Sequence, residues 1–159
     1  VLNVAITIMG KAIPQGSHIA IRRGARSVII DQQNMKTKTL PPNRLNAWRE
    51  SIAQGFELEL EKRNVVGAHE YVGAVKIVII VELMRPKKSS LTSPRPDLDK
   101  LVRAVGDALS GIAYRDDRQI CDIRASKRWS HRDCTFISVK HCNISDLEDP
   151  IGFYNDEKQ

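Results

Sequence analysis

Pro94-Arg-Pro-Asp-Leu-Asp-Lys-Leu-Val-Arg-Ala-Val-Gly-Asp-Ala-Leu-Ser-Gly-Ile-Ala-Tyr-Arg-Asp-Asp117 carries five aspartates, and its apolar residues recur at Leu98, Leu101, Val102, Val105, Ala108 and Leu109. Neighbours three and four apart form one face of an amphipathic helix. Pro96 disfavours helical geometry at Arg95, and Asp97 is a good N-cap residue, so the helix is expected to begin at Asp97 and stop near Gly111. Asp97 and Asp99 then sit at a helix N-terminus, whose partial positive charge and unpaired amides favour ionised carboxylates. Such carboxylates are hard ligands, and a small cluster of them selects Mg²⁺ or Mn²⁺. A third ligand is needed, and Asp116 and Asp117 follow the helix after a short turn. Asp99, Arg103 and Asp107 stand four apart, as simple pairing along a helix would require; the reading favoured here is that Asp107 supports the site by orienting Arg103.

Directly before the acidic pair, residues 85–95 hold four basic residues, two prolines and four hydroxyls. With little to pack, they read as a solvated loop, and their position makes them a flexible basic arm beside the acidic cluster, with Lys87, Lys88 and Arg95 available to phosphates. Further upstream, residues 71–83 are rich in β-branched residues and nearly continuous in apolarity, the best candidate for a central strand. A helix is expected from Asn43 to about Arg63, with Leu45, Trp48, Ile52, Phe56 and Leu60 on its apolar face and Trp48 in the core. Residues 32–42 read as a loop, and the runs beginning at His18 and Ser27 as a hairpin turning at Gly24. Residues 2–9 alternate like a half-buried strand, and residues 118–129 and 133–142 read as two more.

A chain of 159 residues fits one domain with a substantial core. The net charge of +6 is unevenly spread: residues 144–159 hold five acids against one lysine, leaving +10 on residues 1–143. That basic body suits a polyanionic partner, and the acidic end reads as a mobile tail outside the domain of residues 1–143. Three cysteines without a C-x-x-C pair suggest reduced thiols, and no stretch resembles a membrane span or leader, so a cytoplasmic location is expected. The initial Val suggests a missing or processed start. His131, Cys134, His141 and Cys142 resemble zinc ligands only superficially, because an adjacent His-Cys pair points to opposite faces of a strand.

The run from Pro96 to Ile120 resembles the signature of the RusA family of Holliday junction resolvases, with looser similarity at Gly10 to Ser17 and around Trp48. The resemblance implies a Mg²⁺-dependent (or Mn²⁺-dependent) endonuclease of bacteria or phages, cutting four-way DNA junctions in recombination and repair, and working as a homodimer. It places the metal-binding and catalytic aspartates on Asp97, Asp99 and, from the doublet with Asp116, Asp117. The family's catalytic lysine falls on Arg103, which keeps the charge but cannot lose a proton. Lys100 is a second candidate for the phosphate-facing work. The expected architecture is α+β: two helices packed on a mixed sheet in a single domain. Two other readings stay open from the residues alone: a non-catalytic DNA-binding module whose aspartates cap helices, and a D-x-D metal-dependent transferase or phosphatase.

Overall fold

Val4, Ile6 and Ile8 bury one side of β1 (Asn3–Met9) while the residues between them face outward, the period expected of a strand packed on one face. A ribbon follows, β2 (His18–Arg23) and β3 (Arg26–Asp31), paired antiparallel in a sheet of its own and turning at Gly24 with φ +64°. The computed structural model describes residues 2–142; the acidic tail expected over residues 144–159 lies outside them. Next come α1 (Arg44–Lys62), β4 (Ala74–Met84), α2 (Leu98–Leu109), β5 (Ile120–Ser130) and β6 (Cys134–Cys142).

The main sheet has the order β1-β6-β4-β5, with β4 parallel to β5 and the other pairs antiparallel. Both long helices lie on one face of it, α1 against β1 and α2 against β5. The five apolar residues expected on α1, Leu45, Trp48, Ile52, Phe56 and Leu60, are all buried, as are Leu101, Ala104, Val105, Ala108 and Leu109 of α2. Each large side chain so buried contributes about 1.5–3 kcal/mol. Helix and sheet approach closely at Gly55, where an added Cβ would come within 2.7 Å of the Ile8 side chain. The fold is therefore α+β with two helices on a mixed sheet in one domain.

Two expectations are modified. β4 is interior as anticipated, but its near-continuous apolarity does not reflect cover on both faces. Val75, Ile77, Ile79, Val81 and Leu83 are buried under the helices, whereas Lys76, Val78, Ile80 and Glu82 are half-buried on the other side. The segment 32–42 is not uniformly loop: residues Gln32–Asn34 form a 3-10 turn, and the buried Asn34 accepts the backbone N–H of Asn46 at 3.1 Å, capping α1 from a distance.

Candidate active site

Helix α2 begins one residue after Asp97, whose carbonyl accepts the N–H of Leu101, so the boundary falls where Pro96 and Asp97 were expected to put it. The Asp97 carboxylate does not cap the helix. It reaches Lys100 at 3.0 Å, with side chains 60% and 46% exposed, an ion pair that solvent and a single helical turn hold only weakly. Asp99 and Arg103 are exposed on the same helix, and neither makes an ion pair among the described residues. Asp107 does not turn to Arg103. It bonds Arg49 of α1 and so ties the two helices together.

The acidic doublet divides its labour. Asp116 caps the 3-10 turn Asp117–Gln119, accepting the Arg118 N–H at 2.9 Å and both Nε and a terminal nitrogen of the Arg118 guanidinium. The bonded guanidinium and that N–H hold the Asp116 carboxyl well below the usual carboxylate range. Gln119 fixes the turn: its amide oxygen accepts from the N–H groups of Arg115 and Asp116, and its amide nitrogen donates to Tyr71 and Gly73 carbonyls at 2.7 and 3.0 Å. Asp117 is left exposed, without an ion pair among the described residues. It shares a small hollow of about 110 Å³ with Val102, Arg103, Gly106 and Asp107. Beneath, buried Tyr114 donates to the Gly106 carbonyl at 2.9 Å, and burial together with the charges of Asp117 and Asp107 pushes its phenol well up.

Asp117 thus meets α2 beside Arg103 and Asp107, and Arg103 stands roughly one helical turn beyond Asp99, about 6 Å along the axis. The donor chemistry of Asp97, Asp99 and Asp117, all carboxylate oxygen, suits a hard divalent cation. Their arrangement is open: among the described residues no three His, Cys, Asp or Glu side chains gather where a metal ion would sit.

The segment before Asp97 is pinned, not the flexible arm expected from its composition. Lys127 of β5 donates from Nζ to the carbonyls of Pro94 and Pro96 at 2.9 and 2.6 Å, and Trp129 Nε1 donates to the Leu91 carbonyl at 3.1 Å. Arg85 adds longer bonds to the carbonyls of Ser89 and Leu91. Lys87, Lys88 and Arg95 are exposed, and Lys88 and Arg95 line a hollow of about 570 Å³ with Lys11. Sequence reasoning passed over Lys127, Arg49 and Gln119. Only Lys127 left a signal: it is the charged member of the strand register Ile123, Ala125, Lys127, Trp129.

Of the metal-ligand lookalikes, His131 is exposed and the other three have partners of their own. His141 is buried, stacks on Tyr71 with centroids 3.9 Å apart, and places Nε2 2.6 Å from the Ala113 carbonyl, while Cys134 and Cys142 are buried and Cys121 is exposed. No helix among the described residues is long and apolar enough to cross a membrane.

Comparison with known proteins adds two findings. A protein of Bacillus subtilis (strain 168) described as uncharacterized protein YqaN is 33% identical over 58 residues, 36% of this chain and 37% of that protein's length. Residues 25–140, which include every element from β3 to most of β6, match the family described as endodeoxyribonuclease RusA. The chain, with its paired aspartates at the start of α2 and the capped doublet behind it, belongs to the RusA endodeoxyribonuclease family.

Proposed function

We propose that this chain is a Holliday junction resolvase: a metal-dependent endonuclease that hydrolyses phosphodiesters at four-way DNA junctions, in the bacterial cytoplasm, during recombination and repair. The observation that carries the reading is the division within the doublet of a RusA-family chain: Asp116 is consumed in capping, leaving Asp117 exposed beside Arg103. Asp97, Asp99 and Asp117 would hold Mg²⁺ or Mn²⁺, and the exposed Asp97 would exchange Lys100 for the cation. Such an ion, when bound, polarises the phosphoryl oxygens and acidifies a water.

The chain's own residues supply the rest. Arg103 and Lys100 offset charge that develops on the scissile phosphate, and fixed cations at that point raise turnover more than ground-state binding. Lys87, Lys88 and Arg95 neutralise neighbouring phosphates and make affinity salt-dependent. Homodimerisation would present two equivalent sites to two opposed strands. It is supported by the sheet face that the helices leave uncovered, where the half-buried Val78, Ile80 and Phe136 stand between charged rows.

Incubating the protein with a four-way junction, linear duplex and a sugar nucleotide tests the reading. The expected outcome is paired cuts in the junction with Mg²⁺ or Mn²⁺, none in excess chelator, and junction binding in both. Asp97→Asn, Asp99→Asn and Asp117→Asn should each abolish cleavage while Asp116→Asn retains it. Junction binding without cleavage in either metal would make the chain a non-catalytic DNA-binding module, and cleavage in chelator would remove the metal.

A further inference from the structure

Immediately before Asp97 the chain encloses a hollow of about 570 Å³ whose lining joins two chemistries. Leu83, Met84, Leu91, Pro96 and Trp129 supply apolar wall. Lys11, Lys88 and Arg95 supply three cations, none of them in an ion pair among the described residues. The one carboxylate in the lining, Asp133, already accepts the Met84 N–H at 2.8 Å. The walls are held in place by the bonds from Trp129 to Leu91 and from Lys127 to Pro94 and Pro96, so the hollow exists before any ligand arrives.

A groove that followed only the sugar-phosphate backbone would have no use for the apolar wall, and an apolar ligand would leave three cations without counter-charge. A single nucleotide answers both, with a flat ring that is apolar on its faces and a phosphate at its edge. The space available falls within the range of sites that bury a molecule of that size. Withdrawing a base from continuous duplex costs a few kcal/mol, and the cost is lowest where stacking and pairing are already interrupted, as at a branch point. We infer that this hollow receives one unstacked nucleotide of the bound strand, its base against Met84, Leu91 and Trp129 and its phosphate among Lys11, Lys88 and Arg95. The occupant lies next to the Asp97 end of α2, so the hollow sets which phosphate is presented to the acidic residues. The inference rests on the junction-binding reading and extends it to a specific residue of the DNA.

The test is an abasic scan read as affinity in excess chelator, where cleavage plays no part. Each nucleotide within five of the branch point is replaced in turn by an abasic unit, and each junction is bound to the wild-type chain and to Met84→Ala/Leu91→Ala, two exposed positions whose truncation spares the core. The expected result is one position at which removing the base weakens wild-type binding by about fivefold or more. The double variant should lose a similar factor on the intact junction and nothing further on the abasic one. Lys11→Ala should weaken binding to both junctions alike. A scan flat to within twofold, with Lys11→Ala still weakening binding, would reduce the hollow to a backbone phosphate site and overturn the inference while leaving the resolvase reading intact. Absence of any junction binding would overturn both.

Discussion

Arg103 stands where the family resemblance places a lysine, and its surroundings decide between two ways an arginine could act. A planar fork bridging the phosphate and Asp107 would need Asp107 free, but Asp107 is bonded to Arg49. Under the resolvase reading Arg103 would then act as a fixed point charge, which lysine can replace. Arg103→Lys should cut junctions at close to the wild-type rate, whereas Arg103→Ala should lose about 100-fold in turnover with affinity nearly unchanged. Equal collapse of both variants in single-turnover assays would restore the bridging role. A second residue reports on pH. His141 has its pKa lowered, first by burial, with the Ala113 bond opposing. The folded state therefore resists a proton that the unfolded chain accepts near the ordinary histidine value, so this contribution to stability is full above that value and is lost as pH falls from it through the lowered folded value. Thermal melts at pH 7.5 and 5.5 should show a lower midpoint at pH 5.5, and the difference should shrink in His141→Gln.

The segment from Arg85 to Pro96 and strand β5 act as one unit, because Lys127 anchors the carbonyls on either side of Arg95 and so fixes the approach to Asp97. Lys127 is a positioning residue under the resolvase reading. Lys127→Met should lower kcat at least tenfold with KM changed little, and Lys127→Arg, which can still donate to two carbonyls, should recover most of the rate; a loss in KM alone would make the lysine a DNA contact instead. None of this anchoring was visible from composition, which sees four cations and two prolines and reads mobility. Legibility followed the range of the forces involved. The borders of α2, the buried stripe of α1 and the turn at Gly24 rest on preferences of residues adjacent in sequence, and these were read correctly. The Arg49–Asp107 pair spans 58 residues and the Lys127 bonds more than 30, and no local pattern encodes such partners. The sequence leaves Asp116 and Asp117 alike apart from the family resemblance; the fold separates them, with Asp116 engaged in the capping box with Gln119 and Asp117 exposed.

Taken together, the strands present one face that the helices cover and another that no described helix covers. Across this second face run the rows Ala5–Ser138–Val78–Arg124 and Thr7–Phe136–Ile80–Ser126, flanked by rows holding the Lys76–Asp122 and Arg128–Glu82 ion pairs. In the second pair the bonded Arg128 guanidinium, aided by Cys134, draws the Glu82 carboxyl down to about 2. An apolar centre within a charged rim is the composition of an interface, and a second copy of the same face would match it. Under the homodimeric resolvase reading, Ile80→Glu should convert a sedimenting dimer to a monomer of unchanged far-ultraviolet circular dichroism, and should turn paired cuts into independent nicks. A dimer that survives the change would place the contact elsewhere. The sheet order has a further consequence, for synthesis. The first strand bonds within the sheet only to the last, Asn3 opposite Lys140, so β1 has no sheet partner until almost the whole described chain has been made. At about 5–20 residues per second, the ribosome holds that apolar strand unpaired for several seconds at least, and a chain stalled before β6 would expose it to chaperones, proteases and other nascent chains.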